Sequence, residues 1–402
     1  RHAHRIVVMK QGRAVEIGEK HNRFHIARVA RFEAAHHGAV ENLKRAWDAR
    51  AASLKQACEG KVAAISHEFD AEWQRIQSEW DGTVPPIFEV LSGASEAAEK
   101  LFPAWETLRP ETWIPPKQFV NAAKYGSLQA DLVKACASLP KDKRLGLPGP
   151  TSLELPLCLA YPNEGSVLFE TNGAGHDQAV AALNNLILRL LAGSPPGRLN
   201  FTILDPVGLG QNFAGIMHMA DYEEQIINSR IWTQPGQIEE KLAQLNEHME
   251  KVIQMYLRNE YQTIAEYNEQ AGVIAEKYHF LVVADFPSGF TDTAVRRLLS
   301  IAASGPRCGV YTLIHFDKRQ QQQLPQDVSL DDLRKNSVHL AWKTEGRAPS
   351  SKAPADLSSF VLVKNPVPGT RLLLDSPPPA EAATEFINQV GKLSRDSSRV
   401  EV

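Results

Sequence analysis

The sequence predicts an α/β protein, a mostly parallel sheet flanked by helices, preceded by an N-terminal helical or coiled-coil arm. Three observations carry this. Beyond residue 150, short β-branched and aromatic runs alternate with long amphipathic segments, the pattern of strands joined by crossover helices. One strand-like run ends in a glycine-rich turn that opens directly into a helical pattern. From Ala27 to Trp80 the chain is rich in Ala, Glu, Lys, Arg and Gln, with no Pro and only two Gly.

Three regions follow in order: residues 1–81, an N-terminal segment and helical arm; 82–147, a connector with short elements; and 148–402, the α/β domain with a C-terminal extension. In the arm, Phe32, Leu43, Trp47, Leu54, Ile65, Phe69, Trp73 and Ile76 recur at irregular three-, four- and seven-residue intervals. That spacing suits an antiparallel helical hairpin, broken near Gly60 and packed as a cap on its own domain, better than a strict heptad seam. A coiled-coil arm for a partner is the functional alternative. Trp105, Trp113, the Trp-Ile-Pro-Pro run ending at Pro116 and the Pro-Gly-Pro ending at Pro150 mark the connector as turns and short elements. After it, LELPLCLAY, SVLFET, LNFTILD, HFLVVAD, GVYTLIHF and SVHLAW read as strands. Ala179 to Ala192 and Gln237 to Gln270 read as helices, the second placing Ile238, Leu242, Leu245, Met249, Ile253, Tyr256, Tyr261 and Ile264 near one face. Gln320 to Gln323 and Arg347 to Ser359 read as loops.

Composition excludes several classes. At 402 residues, with 43% hydrophobic and 23% charged side chains, the chain buries a core without staples. A net charge of −3 gives no global basic field for nucleic acid. Cys58, Cys136, Cys158 and Cys308 form no CxxC pair, so neither a zinc ribbon nor a redox motif is expected, and a reducing, cytoplasmic setting is the default. No apolar run approaches the ~18 residues a membrane span needs. The chain opens on Arg1, without Met, and stops at Val402 without an evident ending, and we expect it to continue into a longer polypeptide.

The candidate site is the junction SVLFET, NGAGHDQ, AVAALNNLILRLLA. A strand, a glycine turn and a helix start aim backbone N–H groups at one point, as phosphate loops do. The pattern GxxxxGK[ST] requires Gly, a Lys for the terminal phosphates and a hydroxyl for magnesium. Those positions hold Glu170, His176 and Asp177. Two carboxylates beside phosphate oxygens would each oppose binding by about 4 kcal/mol, and a His of ordinary pKa is mostly neutral where Lys is charged. The degenerate nucleotide site therefore comprises Thr171, Asn172, Gly173, Ala174, Gly175, His176 and Asp177, with Asp285 at the end of YHFLVVADF in the place of a magnesium-holding carboxylate. Phe286 follows where a Glu would orient the attacking water. No catalytic residue and no metal ligand set is expected.

Five segments in order carry a resemblance. GSVLFETNGAGHDQAVAALNNLILRLL falls on a phosphate-loop strand and helix. LNFTILDPVGLGQNFAGIMHMADY resembles a strand ending in Ile-Asp-Pro with a later Pro-His-Leu. LAQLNEHMEKVIQMYLRNEYQTIAEYN resembles a helix with Glu-Met-Glu, Arg-Tyr and a final Tyr-Asn, HFLVVADF an Asp-Glu strand, and GPRCGVYTLIHFDKRQ a strand ending in Thr-Gln-Arg-Pro, here Phe316 and Asp317 in place of Thr-Gln. From about Leu153 to Lys343 the chain thus resembles the motor domain of the FtsK/SpoIIIE family, RecA-like P-loop ATPases that translocate double-stranded DNA.

The resemblance implies a catalytically degenerate copy that serves assembly or coupling, without cofactor. Its partners would be an active ATPase domain further along the same polypeptide, ring neighbours, or double-stranded DNA. Two alternatives stand beside it: a domain that still binds ATP and magnesium through a variant loop, for DNA or type VII-secretion-like protein translocation, and a scaffold whose helices recruit a partner protein. Arg296, Arg297, Lys318, Arg319, Arg334, Lys335 and Lys343 concentrate positive charge in the C-terminal half. LDPVGLGQNFAG spaces its glycines GxGxxxxG where a dinucleotide turn needs GxGxxG, and His36 and His37 lack a ligand-spaced partner.

Overall fold

The computed structural model describes residues 2–136, 138–258, 260–272, 275–343, 359–364, 366 and 368–400, the side chains of 359 and 397–400 excepted. The chain divides into two compact units, Arg1–Gly82 and Thr83–Val402. The first unit consists of helix α1, which runs from His2 to Leu101 and therefore extends into the second. The expected hairpin does not form, because α1 continues through Gly60. A glycine in a helix interior costs only about 1 kcal/mol against Ala. The surrounding Ala, Lys and Glu residues, with i,i+4 pairs such as Lys55–Glu59, carry the helix across it. Phe32, Leu43, Trp47 and Phe69, expected to face a core, are exposed along this unit.

In the second unit β1 (Ala122–Asp131), α2 (Leu132–Ala135), β2 (Ser152–Ala160), β3 (Val167–Thr171), α3 (His176–Ala192) and β4 (Leu199–Leu204) come first. Then follow α4 (Pro235–Lys251), running into a π-helical turn (Val252–Leu257), α5 (Ile264–Ala271), β5 (Tyr278–Phe286) and α6 (Asp292–Ser304). The chain continues through β6 (Val310–Asp317), α7 (Asp331–Lys335), β7 (Val338–Lys343), β8 (Ser359–Leu362), β9 (Thr370–Leu374) and α8 (Ala380–Val400). A six-stranded sheet has the order β4-β5-β6-β3-β7-β8, parallel throughout except for β8, which runs antiparallel beside β7. The mostly parallel sheet flanked by helices is as expected.

Three expectations change in detail. The run LELPLCLAY lies outside the parallel sheet: as β2 it pairs antiparallel with β1, which also pairs with β9. Pro156 has no N–H to donate and suits this edge position better than a strand bonded on both sides. β1 lies within 82–147 and is hydrogen-bonded on both sides to strands of the following region. The long helix 237–270 is divided, its π-helical end closing on Arg258 at φ 41°, and α5 restarts at an N-cap where Thr263 Oγ1 accepts from the Glu266 N–H. Ile238, Leu242, Leu245 and Met249 are buried as expected, whereas Ile253 is exposed. Of the predicted loop 347–359, Ser359 opens β8 and the rest lies outside the described residues.

The core fills both faces of the large sheet. β3 and β6 are buried along their whole lengths, and α3 buries Leu183, Leu186, Ile187 and Leu190 against them. Phe201, Phe280, Tyr161 and Tyr311 continue the core as a ring cluster with centroids 5.4–5.8 Å apart. At roughly 1.5–3 kcal/mol per large apolar side chain, this burial fixes where β3, β5 and β6 end. Their C-terminal ends carry the candidate site.

Candidate functional site

β3 ends at Thr171, and the turn from Asn172 to Gly175 delivers the chain into α3. Gly173 and Gly175 stand at φ 93° and 88°, left-handed conformations that glycine adopts without strain. The turn is covered on two sides. A Cβ on Gly175 would lie 2.4 Å from the Trp342 ring, and one on Gly173 would lie 3.0 Å from the Arg319 guanidinium. Arg319 is itself held by Asp317, its Nη2 donating over 2.7 Å and its Nε over 3.0–3.1 Å to the carboxylate.

Asp285 reaches the turn through a β-bulge. On β5 and β6, Val283 pairs with Ile314 but Phe286 with Phe316, so β5 holds one extra residue. Asp285 sits there at φ 55°, a left-handed conformation that re-aims its side chain. Oδ1 lies 3.2 Å from His176 Nε2 and 3.4 Å from His315 Nδ1, while His176 Nδ1 lies 2.9 Å from Asp177 Oδ1. His315 is fully buried on β6, and its Nε2 lies 2.8 Å from Thr171 Oγ1. A chain Thr171–His315–Asp285–His176–Asp177 therefore runs across the ends of β3, β6 and β5.

The electrostatics differ from the expectation at two residues. His176 is not a neutral imidazole: its hydrogen bond to the Asp285 carboxylate, set against partial burial and helped by Asp177, raises it to about 9, so it is a cation at neutral pH. Glu170 is not an open charge beside the turn. It is buried and accepts from His339 Nε2 at 3.0 Å and Arg334 Nε at 3.2 Å, and it pairs with Lys318. Burial pushes this carboxyl up, but His339, Lys318 and Arg334 outweigh it and hold it at about 2. Asp285 likewise loses to burial and gains more from His176 and His315, ending far below the usual carboxylate range. Its Oδ2 is buried without a hydrogen bond. Phe286 is fully buried, its ring 5.1 Å from that of Phe290 and 5.9 Å from that of Phe316.

The structure thus brings Thr171, Gly173, Gly175, His176, Asp177 and Asp285 into one cluster, with Asn172 and Ala174 bridged backbone to backbone within the turn. His315 and Trp342, not selected from the sequence, complete it together with Arg319, noted from the sequence only for its charge. His315 carried a usable signal, a polar residue inside the largely apolar strand run GVYTLIHF.

A model of the FtsK/SpoIIIE family matches residues 180–343, which contain α3 from Val180 onward, the strands β4 to β7 and Asp285. This segment is similar to the FtsK/SpoIIIE family. No curated protein matches the chain. Among solved structures, EssC (ATPases 2 and 3) from Geobacillus thermodenitrificans is similar at 15% identity and a TM-score of 0.47, over 73% of this chain and 53% of that one. Thermomonospora curvata EccC (ATPases 2 and 3), solved with a signal sequence peptide, is similar at 15% identity and a TM-score of 0.43, over 70% and 49%. The pCW3 conjugation coupling protein TcpA, in a monomer form with ATPγS, follows at 13% identity and a TM-score of 0.38, over 60% of each chain. The chain spans about half the length of the EssC and EccC structures.

The other sequence features have structural uses. Asp205 is buried at the end of β4 and accepts from the N–H groups of Gly208, Gly210 and Asn212 at 3.0–3.2 Å, so the glycines of LDPVGLG wrap a carboxylate. Of the seven basic residues noted above, Arg296 pairs with Asp327, Arg297 with Glu239, Arg319 with Asp317, and Lys318 and Arg334 with Glu170. Lys335 and Lys343 are exposed, as are His36 and His37 on α1. Among the described residues no helix is long and apolar enough to cross a membrane.

Proposed function

We propose that this FtsK/SpoIIIE-type domain is catalytically degenerate and serves assembly or coupling in a larger, cytoplasmic translocase, beside an active ATPase domain. The supporting observation is the state of Asp285. The carboxylate that would hold magnesium is engaged by His176 and His315, and the next residue, which would orient a water, is the buried Phe286. The rest of the turn agrees. Asp177 offers a carboxylate in place of a magnesium-binding hydroxyl, and the cation at His176 is already shared between two carboxylates. Trp342 and Arg319 cover the glycines whose backbone would cradle phosphate. These residues do not fit magnesium triphosphate.

One observation favours a second reading. A protonated His176 puts a positive charge where the phosphate-loop Lys would stand, which supports nucleotide binding without hydrolysis. The two separate in a melting experiment with the whole chain. A ligand at 100 times its Kd stabilises by ~2.7 kcal/mol. We expect no shift with millimolar ATP and magnesium, no phosphate release, and a changed ATPase rate when the chain is added to an active FtsK/SpoIIIE-type domain. An upward shift that disappears in Gly175→Trp establishes the variant-loop reading instead. Failure to associate with or alter the active domain overturns the coupling role.

A further inference from the structure

A second cluster of titratable side chains lies at the opposite end of β5. His248 stands in the last turn of α4, His279 is the second residue of β5, and Glu276 precedes that strand. The two imidazole rings lie 4.3 Å apart, tilted by 39°. One ligand atom from each of the three residues lies within 4.8 Å of the others. His279 and Asp285 are six residues apart on β5, about 20 Å at strand rise. The cluster is therefore separate from the glycine turn and does not depend on the reading given above.

Three features distinguish it from stacked core histidines. First, His248 Nε2 is buried with no hydrogen-bond partner, an arrangement that ordinarily costs free energy and calls for an explanation. Second, the supports are built. Asn268 on α5 holds the Glu276 backbone on both sides, accepting its N–H at 2.8 Å and donating to its carbonyl at 2.9 Å, while the His279 N–H donates to the Gly309 carbonyl at 2.9 Å. Third, α4 changes to π-helical winding within four residues of His248, and such local rewinding is frequent at functional sites.

We propose that His248, Glu276 and His279 form a binding site for a divalent transition metal of the zinc type, clipping the end of α4 to the start of β5. Two imidazole nitrogens and a carboxylate are a donor set that Zn²⁺ accepts, with a fourth position left for water. At bond lengths of 2.0–2.2 Å, tetrahedral ligand atoms stand roughly 3.3–3.5 Å apart, so side-chain rotations of about 1 Å close the site. The sequence conceals this set: only Glu276 and His279 are close, and His248 arrives from a different element.

The test uses the whole chain, freed of metal by a chelator and titrated with Co²⁺, whose visible absorption reports four-coordinate geometry, then back-titrated with Zn²⁺. We expect one equivalent to bind with a tetrahedral spectrum, Zn²⁺ to displace it, and Zn²⁺ to raise the melting temperature. His248→Gln and His279→Gln should weaken Co²⁺ at least tenfold, and Glu276→Gln should shift the spectrum. His176→Gln and His315→Gln, in the other His-Asp-His grouping, should leave binding intact. Melting of each metal-free variant shows whether it folds. Wild-type binding that survives His248→Gln and His279→Gln, that is lost only in His176→Gln or His315→Gln, or that is absent altogether overturns the proposal.

Discussion

Replacing His176 by Gln removes the cation from the pair with Asp285 while keeping a side chain of similar reach. A rise from 6.5 to about 9 on folding corresponds to at most about 3 kcal/mol of favourable interaction. A third of the His176 side chain is open to solvent, so we take about 1–2 kcal/mol after screening. The pH dependence has a definite sign. His176 binds its proton more tightly folded than unfolded, so its contribution is fully present below pH 6.5 and is lost as pH rises through about 9. Asp285, held far below its ordinary value, stays ionised across this window. Urea unfolding of wild type and His176→Gln at pH 6, 7.5 and 10 should therefore show a stability gap of about 1–2 kcal/mol at pH 6 that shrinks at 7.5 and closes by 10. Parallel curves at all three pH values would refute the ion pair as the source of the shift, and a gap that widens with pH would reverse its sign.

Two further perturbations separate the site's parts. Asp285→Asn takes away the main cause of the raised His176, so its NMR titration should fall from about 9 back toward 6.5, with Asp177 retaining a small part of the rise. Glu170→Gln leaves Lys318, Arg334 and His339 around a neutral amide. Removing one partner of a buried charge cluster costs about 3–5 kcal/mol, and because Lys318 and Arg334 are partly exposed and can rehydrate, we expect about 3 kcal/mol in chemical denaturation. A loss below about 1 kcal/mol would mean that Glu170 is not the hub of that cluster.

The alternation of β-branched strands with amphipathic segments determined the α/β class and the elements β3 to β7, since a strand buried on both faces must be apolar along its length and a helix must be apolar on one face. The glycine turn and Asp285 were legible for the same reason: punctuation by glycine and a polar residue ending an apolar run are local signals. Periodicity could not report where a helix ends. It continued across Arg258 because α4 and α5 both present apolar faces to one core, and it suggested a break at Gly60 where α1 runs on. The charge state of the site was decided only in the folded chain. Glu170 meets Arg334 and His339, 164 and 169 residues away in sequence, because β7 lies beside β3 and α7 precedes it. His176 becomes a cation because a bulge in β5 turns Asp285 toward it. Ionisation follows the nearest charges and the loss of water, and both are set by which strands the sheet places side by side.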